Sequence, residues 1–481
     1  MQFRLLFHTL SILTIFLGVS MLLPLCVGFI YGENDVKAFS ISLLLCLLFG
    51  AILYVITRNP KKEISHKEGF AIVTLGWITV AFWGGFPYLL SGSLHSFTDA
   101  YFESVSGFTT TGSTVITNIE SMSHAILIWR SFTQWLGGMG IILLSIAILP
   151  LLGVGGMQLY KAEVPGPVKD KLRPRIGETA KLLWKVYLLL TFIEFILLRV
   201  GGMSFYDAIC HSFTTMATGG FSTKNISIEA FHSNYIEGVV TVFMLLAGIN
   251  FALHYQALVG NIKSMIKDNE FKFYIAAIAF AIVMIFINLL SVSGYSIGDA
   301  FRYSAFQAVS IMTTTGYSST NFENWSGFGQ CFLLVLMFIG GCAGSTAGGI
   351  KVLRVVILLK LGYRELYRLI HPRAVAHIKF NNAKVPSDVV DSIWGFVFLY
   401  MLFFVIAAAI MSFLGMDLIS AVSSVAASIG NIGPGLGTVG PYDNFSAIPV
   451  IGKWVLIFCM ILGRLEVYTL LILFIPEFWR K

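Results

Sequence analysis

Residues 99–112 read DAYFESVSGFTTTG, and residues 299–316 repeat the pattern as DAFRYSAFQAVSIMTTTG. Looser copies stand at 207–220 (DAICHSFTTMATGG) and 417–433 (DLISAVSSVAASIGNIG). Each copy opens with an aspartate, continues as a moderately apolar stretch and ends in a turn that contains glycine. At about 10–14 residues the stretch is too short to cross a bilayer, which takes a helix of about 20 residues.

The composition around these copies indicates an integral membrane protein. Of 481 residues, 56% are hydrophobic and only 12% are charged, whereas a soluble domain carries about 25% charged residues. The net charge is +7, but the basic residues stand in short loops between apolar blocks. There they set the membrane topology, so we predict a lipid bilayer as the surroundings and no nucleic-acid partner.

Apolar blocks of spanning length occur ten times, so both chain ends are expected on one side of the membrane. The basic loops, at 58–67, 153–177, 263–272 and 361–388, alternate with loops that carry few basic residues. The positive-inside rule then predicts that both termini are cytoplasmic. The predicted spans are 5–30, 38–57, 69–91, 124–152, 178–200, 235–260, 272–293, 328–360, 389–414 and 449–475.

A unit of span, short helix, glycine turn and span therefore occurs four times. We predict an all-α integral membrane fold with four pseudo-symmetric repeats around a central pore, preceded by two extra transmembrane helices. The predicted domains are 1–67 (the two N-terminal helices), 68–176 (repeat 1), 177–268 (repeat 2), 269–386 (repeat 3, with an intramembrane gate loop) and 387–481 (repeat 4).

The four turns have the chemistry of a cation pore. Non-helical backbone at membrane depth must be buried in protein or line a water-filled path, and a common axis satisfies this for all four turns. Aspartate is a good N-cap, and the inward C-terminus of the short helix favours a cation. Backbone carbonyls of the turn can replace the ion's hydration shell. A single copy would indicate only a glycine turn between helices, but four copies in register favour a pore.

A second motif, GGCAGSTAGG at 340–349, lies inside the span that follows the third turn. So many glycines break a helix, and an unwound segment here could gate the path. The alternative is close packing of two helices through small residues. In the last span, Arg464 could pair with Glu466, bond to carbonyls of the glycine-rich segment, or extend to the interface.

The sequence predicts no enzyme. Glu103, His211, Glu194 and His254 lie in apolar segments, where a buried side chain with hydrogen-bond partners is the expected state. The chain has no HExxH motif, no P-loop and no cluster of metal ligands. GLGTVG at 435–440 matches a dinucleotide fingerprint but lacks the strand and helix that such a site needs.

At these motifs the chain resembles the Trk/Ktr/HKT superfamily of potassium transporters, most of all its bacterial TrkH/TrkG branch. The stretches GGMQLY at 155–160 and HPRAV at 371–375 add to the resemblance. It implies a potassium-binding filter and an intramembrane gate. The implied filter residues are Thr110, Thr111, Gly112, Thr218, Gly219, Gly220, Thr314, Thr315, Gly316, Asn431, Ile432 and Gly433. The implied gate residues are Gly340, Gly341, Gly344, Ser345, Thr346, Gly348, Gly349 and Arg464.

The resemblance also implies a homodimer in the bacterial inner membrane and a cytosolic TrkA-type regulatory subunit. NAD(H) or ATP is expected only on that subunit, potassium is the expected ion, and no covalent cofactor is expected. In the superfamily, serine at the first filter glycine goes with sodium, so Gly112 favours potassium. The predicted function is gated potassium uptake by a channel or a symporter, with the coupling left open. The alternative is a secondary transporter for another cation or small solute.

Overall fold

The computed structural model describes residues 2–58, 66–147 and 172–480, except 293, 375 and 382. It is almost entirely helical, and one two-stranded antiparallel hairpin pairs β1 (Lys379–Phe380) with β2 (Ala383–Lys384). The stretch at 155–160, Val375, the basic residues of 153–171, and Lys61 and Lys62 lie outside the described residues. The helices are α1 (Phe3–Ser20), α2 (Leu22–Tyr31), α3 (Val36–Ile56), α4 (His66–Gly84), α5 (Phe86–Leu90), α6 (Phe97–Phe108), α7 (His124–Ala147), α8 (Leu172–Val200), α9 (Phe205–Met216), α10 (Asn234–Ala247), α11 (Phe251–Leu258), α12 (Ile262–Lys267), α13 (Asn269–Ser291), α14 (Ile297–Met312), α15 (Gly327–Leu336), α16 (Val352–Ile370), α17 (Ser387–Phe413), α18 (Leu418–Ile429), α19 (Val450–Arg464), α20 (Tyr468–Leu471) and α21 (Pro476–Trp479).

Four units repeat along the chain. In each, a long helix is followed by a short one (α6, α9, α14 or α18, the pore helices), a glycine turn, a 3₁₀ turn and a second long segment. The fold class predicted from the sequence is confirmed, with α1–α3 outside the repeats. The 3₁₀ turns that follow the glycine turns are Ile119–Ser121, Ser227–Phe231, Phe322–Asn324 and Gly437–Val439, and a fifth, Ile472–Phe474, lies near the C-terminus.

Within the described residues, five helices are long and apolar enough to cross a membrane, or seven if each of two bent pairs is one span. Among the other predicted spans, 124–152 and 178–200 correspond to α7 and α8, which adjoin undescribed residues. Large side chains on the outer faces of the spans are apolar and exposed, among them Phe192, Phe280 and Phe398. Such a surface fits lipid and not water.

For the second spans of repeats 2 and 4 the prediction of a continuous helix was wrong, whereas the unwound segment predicted in repeat 3 is present. Helices α10 and α11 meet at 101°, and α19 and the segment Tyr468–Phe474 meet at 112°. In repeat 3, residues 337–351 separate α15 from α16 without forming a helix. In repeat 2, Asn250 caps a new helix and the Gly248 carbonyl just before it accepts the Cys342 N–H from repeat 3. In repeat 4, Glu466 and Val467 adopt positive φ, and in repeat 3 five of the ten residues at 340–349 are glycine. In repeat 1, α7 is unbroken over its described length.

Two large buried clusters hold the repeats together. One joins apolar residues of repeats 1 and 4 with those of α1 and α3, and the other joins repeats 2 and 3 with α16 and the hairpin. The chain ends meet beside the first basic loop, since Arg4 donates to the Arg58 carbonyl at 2.6 Å and Lys67 to the Arg480 carbonyl at 3.2 Å. The two termini therefore lie at the same end of the molecule.

The pore helices begin differently from the prediction. Aspartate is the N-cap only in α18, where Asp417 accepts from the Ser420 N–H at 3.0 Å. In the other three a serine three residues earlier is the N-cap, and the aspartate falls in the first helical turn. Ser296 and Asp299 cap α14 together: the Ser296 hydroxyl accepts from the Asp299 N–H and donates to the Asp299 carboxylate. That hydrogen bond and the Arg302 guanidinium hold the pKa of the exposed Asp299 below its ordinary value.

Candidate functional site

The turns that follow the pore helices, here called pore loops 1 to 4, share one backbone conformation. In each, two residues with positive φ stand on either side of a residue without it. The φ values are 52° at Thr110, 53° at Thr218, 58° at Thr314 and 54° at Asn431, and then 87° at Gly112, 77° at Gly220, 80° at Gly316 and 107° at Gly433. Positive φ is rare for threonine because its branched side chain crowds the backbone. The loops are therefore held in place by other contacts.

The N–H groups of the loops are bonded back to the pore helices. The N–H of Thr110, Thr218, Thr314 and Asn431 donates to the carbonyl three residues earlier, at 3.0, 2.8, 3.0 and 3.2 Å. The following N–H in each loop donates to the carbonyl five residues earlier, at 2.8, 2.8, 2.9 and 2.8 Å. No backbone N–H among the described residues donates to the carbonyls of Thr110, Thr218, Thr314 or Asn431. These oxygens remain free to accept from a ligand.

The last glycines show that the four loops close into a ring. A Cβ added to Gly433 would lie 2.9 Å from the Thr111 carbonyl oxygen. Likewise, a Cβ on Gly112, Gly220 or Gly316 would overlap the carbonyl oxygen of Gly219, Thr315 or Ile432. Each glycine thus packs on the carbonyl of the next loop in the order 1, 2, 3, 4 and back to 1. All twelve residues predicted for the filter belong to these four loops.

The side chains that support the ring differ from loop to loop. In loops 1 and 3 a pair of threonine hydroxyls bond to each other, Thr109 to Thr111 at 2.7 Å and Thr313 to Thr315 at 2.8 Å. In loop 4, Asn431 Nδ2 donates to Thr111 Oγ1 at 3.0 Å and to the Met460 carbonyl at 2.9 Å. The ring therefore has only approximate fourfold symmetry.

Loop 2 depends on residues that the sequence analysis missed. Gln134 of α7 donates to the Gly219 carbonyl at 2.6 Å and accepts from the Phe221 N–H at 3.1 Å. One turn earlier, the buried Arg130 pairs with Glu103 at 2.8 Å, and its guanidinium lies 4.0 Å from the Phe221 ring centroid. Arg130 could have been found from the sequence, because an arginine within an apolar span indicates a functional or structural role.

A vestibule opens over one face of the ring. All four ring glycines, Gly112, Gly220, Gly316 and Gly433, contribute to its lining. Lys224 and Asp443 are also part of the lining, so the vestibule carries both signs of charge. Its wall contains no residue of the segment 337–351, which lies elsewhere against the loops.

Residues 337–351, here called the glycine-rich loop, form a closed loop between α15 and α16. Its two ends are joined by backbone bonds from the Gly340 N–H to the Ile350 carbonyl at 2.9 Å and from the Val352 N–H to the Gly341 carbonyl at 3.1 Å. The leg that leaves α15 is fixed to the break between α10 and α11, because the Cys342 N–H donates to the Gly248 carbonyl at 2.9 Å. The prediction of an unwound segment at 340–349 agrees with this geometry, and the alternative of helix packing does not.

The tip of the glycine-rich loop lies directly against pore loops 3 and 4 and the end of the pore helix α9. The Gly348 N–H donates to Thr314 Oγ1 at 2.6 Å, and Thr346 Oγ1 donates to the Met216 carbonyl at 3.1 Å. A Cβ added to Gly348 would lie 2.5 Å from the Gly430 carbonyl oxygen. Gly344 and Gly349 are half-buried and have φ values of 76° and 62°, and Ser345 between them is buried. Only small residues fit in this space.

Arg464 joins the glycine-rich loop to two other repeats. Its guanidinium donates to the Thr346 carbonyl at 2.8 Å and to the Gly137 carbonyl of α7 at 3.4 Å. The side chain is only 2% exposed, so of the three alternatives the bond to the glycine-rich segment is the one observed. Glu466 pairs with Arg354 instead, and the Arg354 guanidinium lies 4.0 Å from the Phe396 ring centroid.

The other intramembrane ionisable residues follow the prediction in three cases. Glu103 accepts from Arg130 and from the Val115 N–H, His211 bonds to the Asp207 carbonyl and to Ser222, and His254 bonds to the Leu246 carbonyl. For Glu194 the prediction was wrong. It is fully buried in α8 beside the Thr215 side chain, but neither carboxyl oxygen makes a hydrogen bond of ordinary geometry within the described part of the chain.

The fold and the ring of loops define a pore-loop membrane protein in which one chain supplies four unequal repeats. A family model described as TrkH, cation transport protein, matches residues 35–481. The chain belongs to this TrkH family of cation transport proteins, which confirms the resemblance seen in its motifs.

Relatives match over the whole length. The Trk system potassium uptake protein TrkH of Escherichia coli (strain K12) is 44% identical over 490 residues, with 100% of both chains covered. The protein of the same name from Vibrio parahaemolyticus serotype O3:K6 is 46% identical over 487 residues, again with 100% of both covered. The crystal structure of the potassium transporter TrkH from Vibrio parahaemolyticus matches with a TM-score of 0.93 at 43% identity and covers 100% of both chains.

Proposed function

We propose that this protein takes up potassium across the bacterial cytoplasmic membrane through the ring of pore loops. The observation that carries the proposal is the closed ring, in which each loop's glycine packs on a carbonyl of the next loop. The names of the full-length relatives, potassium uptake protein and potassium transporter, support the choice of ion.

The ring has the chemistry of a selectivity filter. The pore-helix C-termini, with their partial negative charge, end directly at the ring. The N–H groups of the first two residues of each loop are used internally, and carbonyl oxygens are the groups suited to contact a dehydrated cation. The candidate potassium ligands are carbonyls of Thr110, Thr111, Thr218, Gly219, Thr314, Thr315, Asn431 and Ile432. Gly112, Gly220, Gly316 and Gly433 set the spacing between neighbouring loops.

The glycine-rich loop would act as the gate. Its tip contacts two pore loops and the end of a third pore helix on buried surfaces, and the Arg464 charge would repel a cation that reaches it. Passage then requires that the bonds from Arg464 to Thr346 and from Gly348 to Thr314 be broken. Because these are individual hydrogen bonds to backbone groups, a modest change in free energy would be enough to move the tip.

The surroundings of the protein are part of the same proposal. The chain ends meet at the end that carries Arg58 and Lys67, so the positive-inside rule supports cytoplasmic termini. A homodimer and a cytosolic subunit that binds NAD(H) or ATP stay predictions drawn from the family resemblance. Copurification of the full chain with such a subunit, with and without each nucleotide, would test them.

The filter is tested by rubidium and potassium uptake in a strain that lacks potassium uptake systems. We expect uptake with the parent chain, and a lower potassium-to-sodium preference with Gly112→Ser and Gly316→Ser. Each new Cβ would displace a carbonyl of the next loop, and both glycines have positive φ.

Gly238→Ser is the matched control, because Gly238 lies in α10 and a Cβ there meets nothing within 4 Å. It should retain the parent's uptake and preference. Absence of potassium flux in the parent would refute the proposed function. An unchanged preference in both filter variants would refute the assignment of the filter.

A further inference from the structure

One carboxylate binds both legs of the glycine-rich loop. Glu270 lies in the first turn of α13 and is 7% exposed. Its Oε1 accepts from the Ala343 N–H at 2.7 Å and from the Leu353 N–H at 3.1 Å. Ala343 precedes the tip of the loop, and Leu353 follows the loop in the first turn of α16. The two legs are therefore held at a fixed separation by a side chain from a different helix.

The residues just before Glu270 are held by the β1–β2 hairpin. Asn381, at its turn, accepts from the Asn269 N–H at 3.0 Å and donates to Asp268 Oδ2 at 2.9 Å. The other oxygen of Asp268 caps α13 by accepting from the Phe271 N–H at 2.8 Å. The first turn of α13 thus has the hairpin on one side and the glycine-rich loop on the other.

The hairpin is itself attached to the helix that leaves the glycine-rich loop. Lys360 of α16 donates to the Lys379 carbonyl at 2.7 Å, and its ammonium lies 5.8 Å from the Phe380 ring centroid. Phe380 is buried in one apolar cluster with Leu353 and Val356 of α16. A displacement of the hairpin would therefore pull on both anchor points of the loop, the α13 turn and α16.

We propose that Asn381 and Glu270 are positioning residues that couple the hairpin to the glycine-rich loop. Glu270 holds the loop in the observed position, and Asn381 holds the α13 turn that presents Glu270. A partner that moved the hairpin would loosen the loop without touching it. The regulatory consequence rests on the proposed function of the loop as a gate, whereas the mechanical coupling does not.

The coupling is tested by hydrogen–deuterium exchange of the purified full-length chain. Glu270→Ala should accelerate exchange in peptides that contain Ala343 and Leu353 by about tenfold, because both N–H groups lose their hydrogen-bond acceptor. Glu270→Gln retains a carbonyl acceptor and should have a smaller effect. Asn381→Gly should accelerate exchange in the same peptides, although it lies outside them. Glycine is chosen because Asn381 has a φ of 44°, which alanine would adopt only with strain.

Glu237→Gln is the control, since Glu237 is a buried acid of α10 that pairs with Arg302 and has no contact with this chain of bonds. It should leave exchange in the glycine-rich loop unchanged. Unchanged exchange there in Asn381→Gly overturns the coupling, and unchanged exchange in Glu270→Ala overturns the role of Glu270.

Rubidium flux then separates the coupling from the gate. We expect higher resting flux in Glu270→Ala and Asn381→Gly, and no further increase in the double variant. Faster exchange with unchanged flux would support the coupling and overturn the glycine-rich loop as the gate. Absence of flux in every chain, the parent included, would overturn the proposed function and leave the exchange result standing.

Discussion

Three threonines in the pore loops keep a backbone conformation that branched residues seldom adopt. Thr110, Thr218 and Thr314 have φ values of 52°, 53° and 58°. The cost of such a conformation, about 1–3 kcal/mol each, is borne only where the surroundings over-determine it. At Thr314 the hydroxyl accepts the Gly348 N–H, so threonine also connects the ring to the glycine-rich loop. A glycine there would relieve the backbone and lose that connection.

Glu194 gives a prediction about stability. Its buried carboxyl has no hydrogen-bond partner among the described residues, and a buried polar group without a partner costs about 1–3 kcal/mol. Glu194→Leu, a change of similar volume, should therefore raise the Tm of the purified protein. Glu103→Leu is the matched control, because it would strand the buried Arg130 and should lower stability by about 3–5 kcal/mol. A lower Tm in Glu194→Leu would mean that the carboxyl binds a water molecule or a cation.

At the residue scale, the sequence was enough to identify the residues that form the pore loops, but not the hydrogen-bond partners of buried side chains. The glycines of the turns were found because positive φ restricts the residue type. The partner of Arg464 stayed open among three alternatives, since Thr346 and Gly137 approach it from other repeats. The aspartate caps were wrong in three helices because each helix begins one turn earlier, at a serine, which leaves the aspartate inside the first turn.

At the scale of elements, the sequence identified the spans but not their breaks. Hydropathy averages over both halves of a bent pair, so α10 with α11 and α19 with α20 looked continuous. The break at Gly248 is set by tertiary contact, since its carbonyl accepts the Cys342 N–H. Only the break in repeat 3 could be predicted, because the glycines at 340–349 are sufficient to end a helix without any partner.

The contact between α19 and the glycine-rich loop predicts the behaviour of Arg464 variants. Arg464→Lys and Arg464→Met should both raise resting rubidium flux, because lysine cannot span the carbonyls of Thr346 and Gly137 together. Deletion of a few residues within 344–349 should raise it too, and combining the deletion with Arg464→Met should add nothing further. Flux unchanged from the parent in all of these variants would contradict a gate at this position.

At the scale of the whole molecule, the ring joins all four repeats, because each pore loop packs on the next one. Its order follows the chain from loop 1 to loop 4 and closes at Gly433 and Thr111. The number of repeats could be predicted from sequence because each one carries its own turn. The unequal junctions could not, because they depend on how Gln134 and Asn431 fix their loops.

The unequal junctions predict a graded response to one uniform change, alanine at each ring glycine. The Cβ of Gly433→Ala would lie 2.9 Å from its facing carbonyl oxygen, whereas the other three would overlap theirs. Gly112→Ala, Gly220→Ala and Gly316→Ala should therefore reduce the potassium-to-sodium preference more than Gly433→Ala does. All four alanine variants should also lose stability, because each of these glycines has a positive φ that alanine adopts only with strain. Competition of sodium against rubidium uptake measures the first quantity, and Tm measures the second. Equal loss of preference at all four positions would mean that the facing carbonyls do not set the selectivity.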